Sequence, residues 1–144
     1  MVASYLDALA PVLSQVVEPA AVQVDRHGAF PRAAVDALGR AGLLGLCSAR
    51  EVGGRGEGLR AAAEVVERLA GACGSTAKVV CMHYAATAVV EAHGPRPVRE
   101  QVAAGQYLFT LAFSDRVPAA TSGRRSPAQR PTATACGWMP PRAG

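Results

Sequence analysis

Residues 65–80 read VVERLAGACGSTAKVV, and where this stretch breaks decides the fold. Upstream of the break, Leu59, Ala62, Ala63, Val66, Leu69 and Ala70 recur at helical spacing, which predicts an amphipathic helix with these residues on its buried face. Glu64, Glu67 and Arg68 fall largely on the other side and read as a solvated face. The run GACGST interrupts the pattern, and Ser75 or Thr76 is placed to cap the helix that follows. That next helix, Ala77 to Ala92, is apolar nearly all round: Val79, Val80, Met82, Tyr84, Ala85, Ala88 and Val89 leave it no polar face. Such a helix is buried on most sides or faces a partner.

Reading outward from that pair, the pattern stays helical. Residues 3–26 carry Leu6, Leu9, Leu13, Val16, Val17 and Ala20 three and four apart, with Ser4 and Asp7 near the start. Pro11 and Pro19 bend or divide this helix. In HGAFP, Gly28 is a stop and Pro31 opens a second helix, whose buried face is Ala34, Val35, Leu38 and Ala41 before Gly42 ends it. The apolar-to-glycine stretch LLGLCSAREVGGRGEG then leads into the helix described first. After HGPRP comes a short helix around Val98 to Ala103, and then a strand over residues 106–114. The fold class expected is all-α: a helical domain over residues 1–105, one orphan β-strand at 106–115, and a disordered tail at 116–144.

The chain has 144 residues and a net charge of +4. The charge is unevenly placed. Residues 1–115 hold ten Lys/Arg against eleven Asp/Glu, whereas 116–144 hold five arginines and no acid. The basicity therefore says nothing about partners of the body. The four cysteines form no CxxC pair, no secretory signal is evident, and no run reaches the ~18 apolar residues of a membrane span. This implies a soluble cytoplasmic protein with reduced thiols, and no ligand spacing suits a metal.

The chemistry legible from spacing is slight. GGRGEG places glycines at 54 and 56, but Leu59 stands where a dinucleotide fingerprint needs its third glycine, so a flexible connecting loop is the plainer reading than a phosphate site. His83, on the apolar helix, reads as a satisfied core histidine rather than a base. Nothing in 1–115 assembles a nucleophile, a base and an oxyanion partner.

The order of motifs says more. DRHGAFP (25–31), LGRAGLLGL (38–46), EVGGRGEG (51–58), VVERLAGACGSTAKVV (65–80) and LFTLAFSD (108–115) follow one another as in acyl-CoA dehydrogenases, and the chain resembles that family over essentially residues 1–115. The resemblance implies an N-terminal helical domain, which in the family precedes a β-domain and a C-terminal four-helix domain. It also implies FAD, a homotetramer or dimer, and α,β-dehydrogenation of an acyl thioester, a carboxylate removing the α-proton and the flavin accepting the β-hydride. By the same match Leu111, Phe113 and Ser114 begin the strand that runs beside the flavin, with Asp115 in place of the usual Glu. Cys81, Met82 and Ala85 match positions near the acyl-chain pocket, although core packing explains them equally well. No catalytic residue is implied within the chain, because the family's catalytic carboxylate belongs to the C-terminal domain.

After Ser114 the pattern departs from the family: the Gly-rich turn that should follow is absent, along with the two later domains. From Arg116 onward there is no Leu, Ile, Phe or Tyr. The abundance of Ala, Gly, Arg and Pro implies a GC-rich gene. Reading from the third base of the Val117 codon permits a translation with a Gly-Ser turn followed by DGDGVRLDA, resembling the family's next strands. Trp138, Met139 and Pro140 force Asp-Ala in that frame. Residues from about 116 are therefore read as an out-of-frame tail, the chain as an inactive fragment, and sequencing of the locus is the test. Two alternatives stand beside this: a basic disordered arm for nucleic acid, for which scattered arginines make a poor surface, and a non-catalytic helical adaptor.

Overall fold

The computed structural model of the protein describes residues 4–111. Six α-helices run through them: α1 (Tyr5–Val12), α2 (Glu18–His27), α3 (Arg32–Arg40), α4 (Leu59–Ala72), α5 (Gly74–His93) and α6 (Arg96–Ala103). The expected first helix is one rod with a defect. Ser4 caps it, its Oγ accepting from the Leu6 amide while Asp7 accepts from the Ser4 amide. Between α1 and α2 lies a π-helical turn, Leu13–Val17. Pro19 has no N–H for the carbonyl four residues back and its ring presses on it; the widened turn lies where that conflict falls. Gly28 stops α2 in the left-handed region at φ 58°, where other residues are strained.

The α4–α5 hairpin forms the spine, with only Cys73 between the two helices. Neither Ser75 nor Thr76 caps α5: its N-cap is Cys73 with no side-chain cap bond, and the buried Thr76 hydroxyl donates to the Cys73 sulfur at 3.3 Å. The buried face of α4 also differs from the expected one. It consists of Ala61, Ala62, Val65 and Leu69, while Leu59 is 81% exposed and Ala63 and Ala70 are exposed. Glu64 is not simply solvated, since it accepts the Tyr5 hydroxyl at 2.8 Å and pairs with Arg68 at 3.3 Å.

The main core joins α1–α5, with Leu9, Leu38, Leu43, Leu46, Val65, Leu69 and Val80 wholly buried. A smaller cluster of Ala86, Val102 and Phe109 closes the other end, with Leu111 packed against it. Residues 106–111 run irregularly apart from a single β-bridge at Leu108. The rest of the expected strand, and the expected tail at 116–144, lie outside the described residues. No helix among the described residues is long and apolar enough to cross a membrane.

Candidate functional site

The loop between α3 and α4 first invited a phosphate-binding reading, and its geometry answers that reading. A phosphate cradle needs free, convergent backbone N–H groups. Here they are already used: the amide of Gly54 donates to the Ala49 carbonyl, Arg55 to Gly45, Gly56 to Ser48 and Glu57 to Leu46, all within 2.8–3.0 Å. Arg55 fastens the loop further, donating from Nε to the Gly42 carbonyl at 3.2 Å and from Nη2 to Ala41 at 2.9 Å. The loop is thus folded onto the end of α3 rather than flexible, and the amides of residues 54–57 are not available to an anion. Arg99 ties it to α5 and α6 by bonding Glu91 at 2.7 Å and Glu51 at 2.9 Å.

A different feature is shaped to bind something. An apolar groove of about 300 Å³ opens beside α5. Val79 and Met82, one turn apart on α5, form its floor; Leu108, Phe109 and Thr110 form its wall, and Phe30 from the α2–α3 turn completes the lining. Lys78 is the one charged side chain among these lining residues, and no carboxylate is among them. Such a surface takes hydrocarbon: it removes apolar area from water and offers few polar partners.

The residues expected from sequence divide between this groove and its surroundings. Met82 lines it, half-buried. Cys81 and Ala85 stand on the neighbouring exposed side of α5 and are not among the lining residues. Leu111 is half-buried against the Val102–Phe109 cluster, one residue beyond the groove wall. Phe113 and Ser114 lie outside the described residues. Local spacing could have brought Lys78, Val79 and Met82 together, since they share one face at i, i+1 and i+4. Phe30 and Thr110 arrive from distant sequence and carried no local signal.

Behind the wall sits His83, wholly buried. Its Nε2 lies 3.0 Å from the Leu44 carbonyl oxygen, and its Nδ1 accepts from the Phe109 amide at 3.1 Å. The reading of a satisfied core histidine fits this geometry. Burial depresses its proton affinity, opposed by the Leu44 carbonyl. The adjacent Tyr84 hydroxyl donates to the Leu43 carbonyl at 2.8 Å, and burial holds that phenol neutral. Cys47, half-buried, has its thiol pushed up to about 11, mainly by burial and further by Glu57, so it is no nucleophile at neutral pH. Cys47, Cys73 and Cys81 are all free thiols. Among the described residues no group of three His, Cys, Asp or Glu side chains converges to hold a metal.

Comparison with known proteins gives the fold its context. The family described as acyl-CoA dehydrogenase, N-terminal domain, matches residues 4–105. The short-chain-specific acyl-CoA dehydrogenase of Clostridium acetobutylicum is 28% identical over 104 residues, covering 72% of this chain and 26% of that protein. The chain thus spans about a quarter of the length of that relative. No solved structure matches the chain. With a family match over most of its length, a helical architecture to suit it and an apolar groove on its longest helix, the chain belongs to the acyl-CoA dehydrogenase family, of which it carries the N-terminal domain.

Proposed function

We propose that this domain forms the helical wall of an acyl-thioester site in a flavin-dependent acyl-CoA or acyl-carrier-protein dehydrogenase. The observation that supports the reading is the apolar groove between α5 and residues 108–110, with Met82 in its floor. Each methylene moved from water onto such a surface contributes roughly 0.8 kcal/mol, so a chain of a few carbons is held there without polar contacts. Within the reading, Met82 borders the acyl chain directly, Cys81 and Ala85 flank it from the exposed side of α5, and Leu111, Phe113 and Ser114 border the flavin. A cytoplasmic setting and a homo-oligomer go with this reading, in which a second subunit covers Cys81, Ala85, Ala88 and Val89, left exposed on α5. The family match favours this over a helical adaptor or a nucleic-acid-binding arm.

FAD would supply hydride acceptance in the family reaction. The described residues do not fit FAD by themselves: the amides of residues 53–57 in the glycine loop are spent on the chain's own backbone, and the groove lining offers only Thr110 and Lys78 as polar side chains. Nor does the groove lining hold a carboxylate to take an α-proton. What these residues do is bind and orient an acyl chain and exclude water from it. The polypeptide of residues 1–144, mixed with FAD, is accordingly expected to stay colourless and not to dehydrogenate thioesters. Flavin reduction by an acyl thioester in that mixture would overturn this. The groove itself is tested by methyl NMR: an acyl-pantetheine thioester should shift the Met82 methyl resonance, and Met82→Asp should abolish binding. An unmoved Met82 methyl at millimolar probe would refute the site.

A further inference from the structure

The groove wall hangs on the His83 ring, and the two bonds of that ring have opposite demands. The Leu44 carbonyl has only lone pairs to offer, so Nε2 carries the hydrogen. The Phe109 amide can only donate, so Nδ1 carries a lone pair. One neutral tautomer satisfies both, and it joins residue 44 in the α3–α4 loop to residue 109 across α5. Phe109 and its neighbours Leu108 and Thr110 are the groove wall. We propose that His83 is a positioning residue for this groove: its neutral ring clamps the 108–110 wall to the loop at Leu44, and a second proton on the ring releases the wall. Calling the released groove an acyl site rests on the function proposed above; the clamp does not.

A proton on Nδ1 would face the Phe109 N–H, donor against donor, in a place that solvent does not reach. No neighbouring charge offsets this. Tyr84, with its ring centroid 6.0 Å away, and Cys47 are both held neutral by burial. Several charged groups on the elements packed against α5 are engaged elsewhere, and none acts on the ring. In the loop, Arg55 bonds the Ala41 and Gly42 carbonyls and Glu51 bonds Arg99. On α6, Arg99 bonds Glu91 of α5, and Arg96 bonds Glu100. On α4, Glu64 pairs with Arg68. On α3, Arg32 lies over Phe30, with Asp36 half-buried and Arg40 exposed. Burial and the Leu44 carbonyl are what act on the ring.

The test uses nitrogen NMR and amide exchange on the full 144-residue chain. At neutral pH the His83 Nδ1 should resonate as an unprotonated ring nitrogen and Nε2 as a protonated one; a protonated Nδ1 would overturn the proposal. In His83→Leu, exchange at the Phe109 amide should quicken roughly threefold to tenfold relative to Val65 and Leu69 in α4, the worth of one hydrogen bond. His83→Gln has a donor and an acceptor on one amide and should stay near the wild type. Equal acceleration in both variants, or none in either, would refute the clamp. Acidifying the wild type should raise the Phe109-to-α4 exchange ratio, and a constant ratio would refute release by protonation. If His83→Leu does not fold, the ring-nitrogen assignment, the Gln variant and the acid series still decide. Thioester binding, read separately at the Met82 methyl, distinguishes failure of the clamp from failure of the acyl-site reading.

Discussion

Gly45 is a position where one added carbon should do heavy damage. It lies in the turn after α3, next to Leu44, against the end of α6. A Cβ built there stands 3.0 Å from the Ala103 carbonyl carbon and 3.1 Å from its Cα, with the carbonyl oxygen closer still. All three are backbone atoms, so no rotamer change relieves the clash, and α6 and the turn must separate. Overpacking of this kind costs about 1–3 kcal/mol. Separation also uncovers part of Val102, now wholly buried, adding roughly 1 kcal/mol. Gly45→Ala should therefore lose about 2–4 kcal/mol. In a domain of this size that lowers the thermal midpoint by roughly 10–25 °C. Gly71 is the control: it lies on α4, exposed, with nothing within 4 Å of its built Cβ. Gly71→Ala should gain up to about 1 kcal/mol from helix propensity. Urea and thermal melts followed by circular dichroism measure both. A Gly45→Ala chain within 0.5 kcal/mol of wild type, or a Gly71→Ala chain as damaged as it, would refute the reasoning.

Two further outcomes follow from the buried polar groups. His83 binds a proton less readily folded than unfolded, so the unfolded chain takes up more protons as pH falls. Stability should be full above the ordinary value of 6.5 and decline below it, by at most about 1.36 kcal/mol per pH unit. Urea midpoints from about pH 7.5 to about pH 5 check this, and His83→Gln should remove that part of the slope. Tyr84→Phe removes the shorter of two bonds to the Leu43 carbonyl, leaving the Leu46 amide at 3.2 Å, and should cost about 0.5–1.5 kcal/mol by urea titration. A loss above about 3 kcal/mol, or none at all, would refute the reading that the Leu46 amide still satisfies that carbonyl while one hydrogen bond is lost.

Much of this protein is written in local pattern. The three- and four-residue spacing of apolar side chains marks the helices, and Gly28 marks a real stop because its left-handed φ suits glycine. The ordered motifs from DRHGAFP to VVERLAGACGSTAKVV pointed to the family that the comparisons show. His83 reads correctly as a core residue, since it sits on a helix apolar nearly all round. What failed locally failed for a physical reason. Ala61, Ala62 and Ala63 are equally apolar, so the pattern cannot say which of them faces inward. Packing against α5 turned α4 so that Leu59 points to water and Val65 to the core. Hydrogen bonds spanning long stretches of chain are also invisible to periodicity. Only the folded chain brings the Leu44 carbonyl and Phe109 amide to opposite nitrogens of one ring, 39 and 26 residues away in sequence. The groove has the same origin: Phe30, Met82 and Thr110 share no spacing, and meet because helices packed for core burial leave that surface open between them.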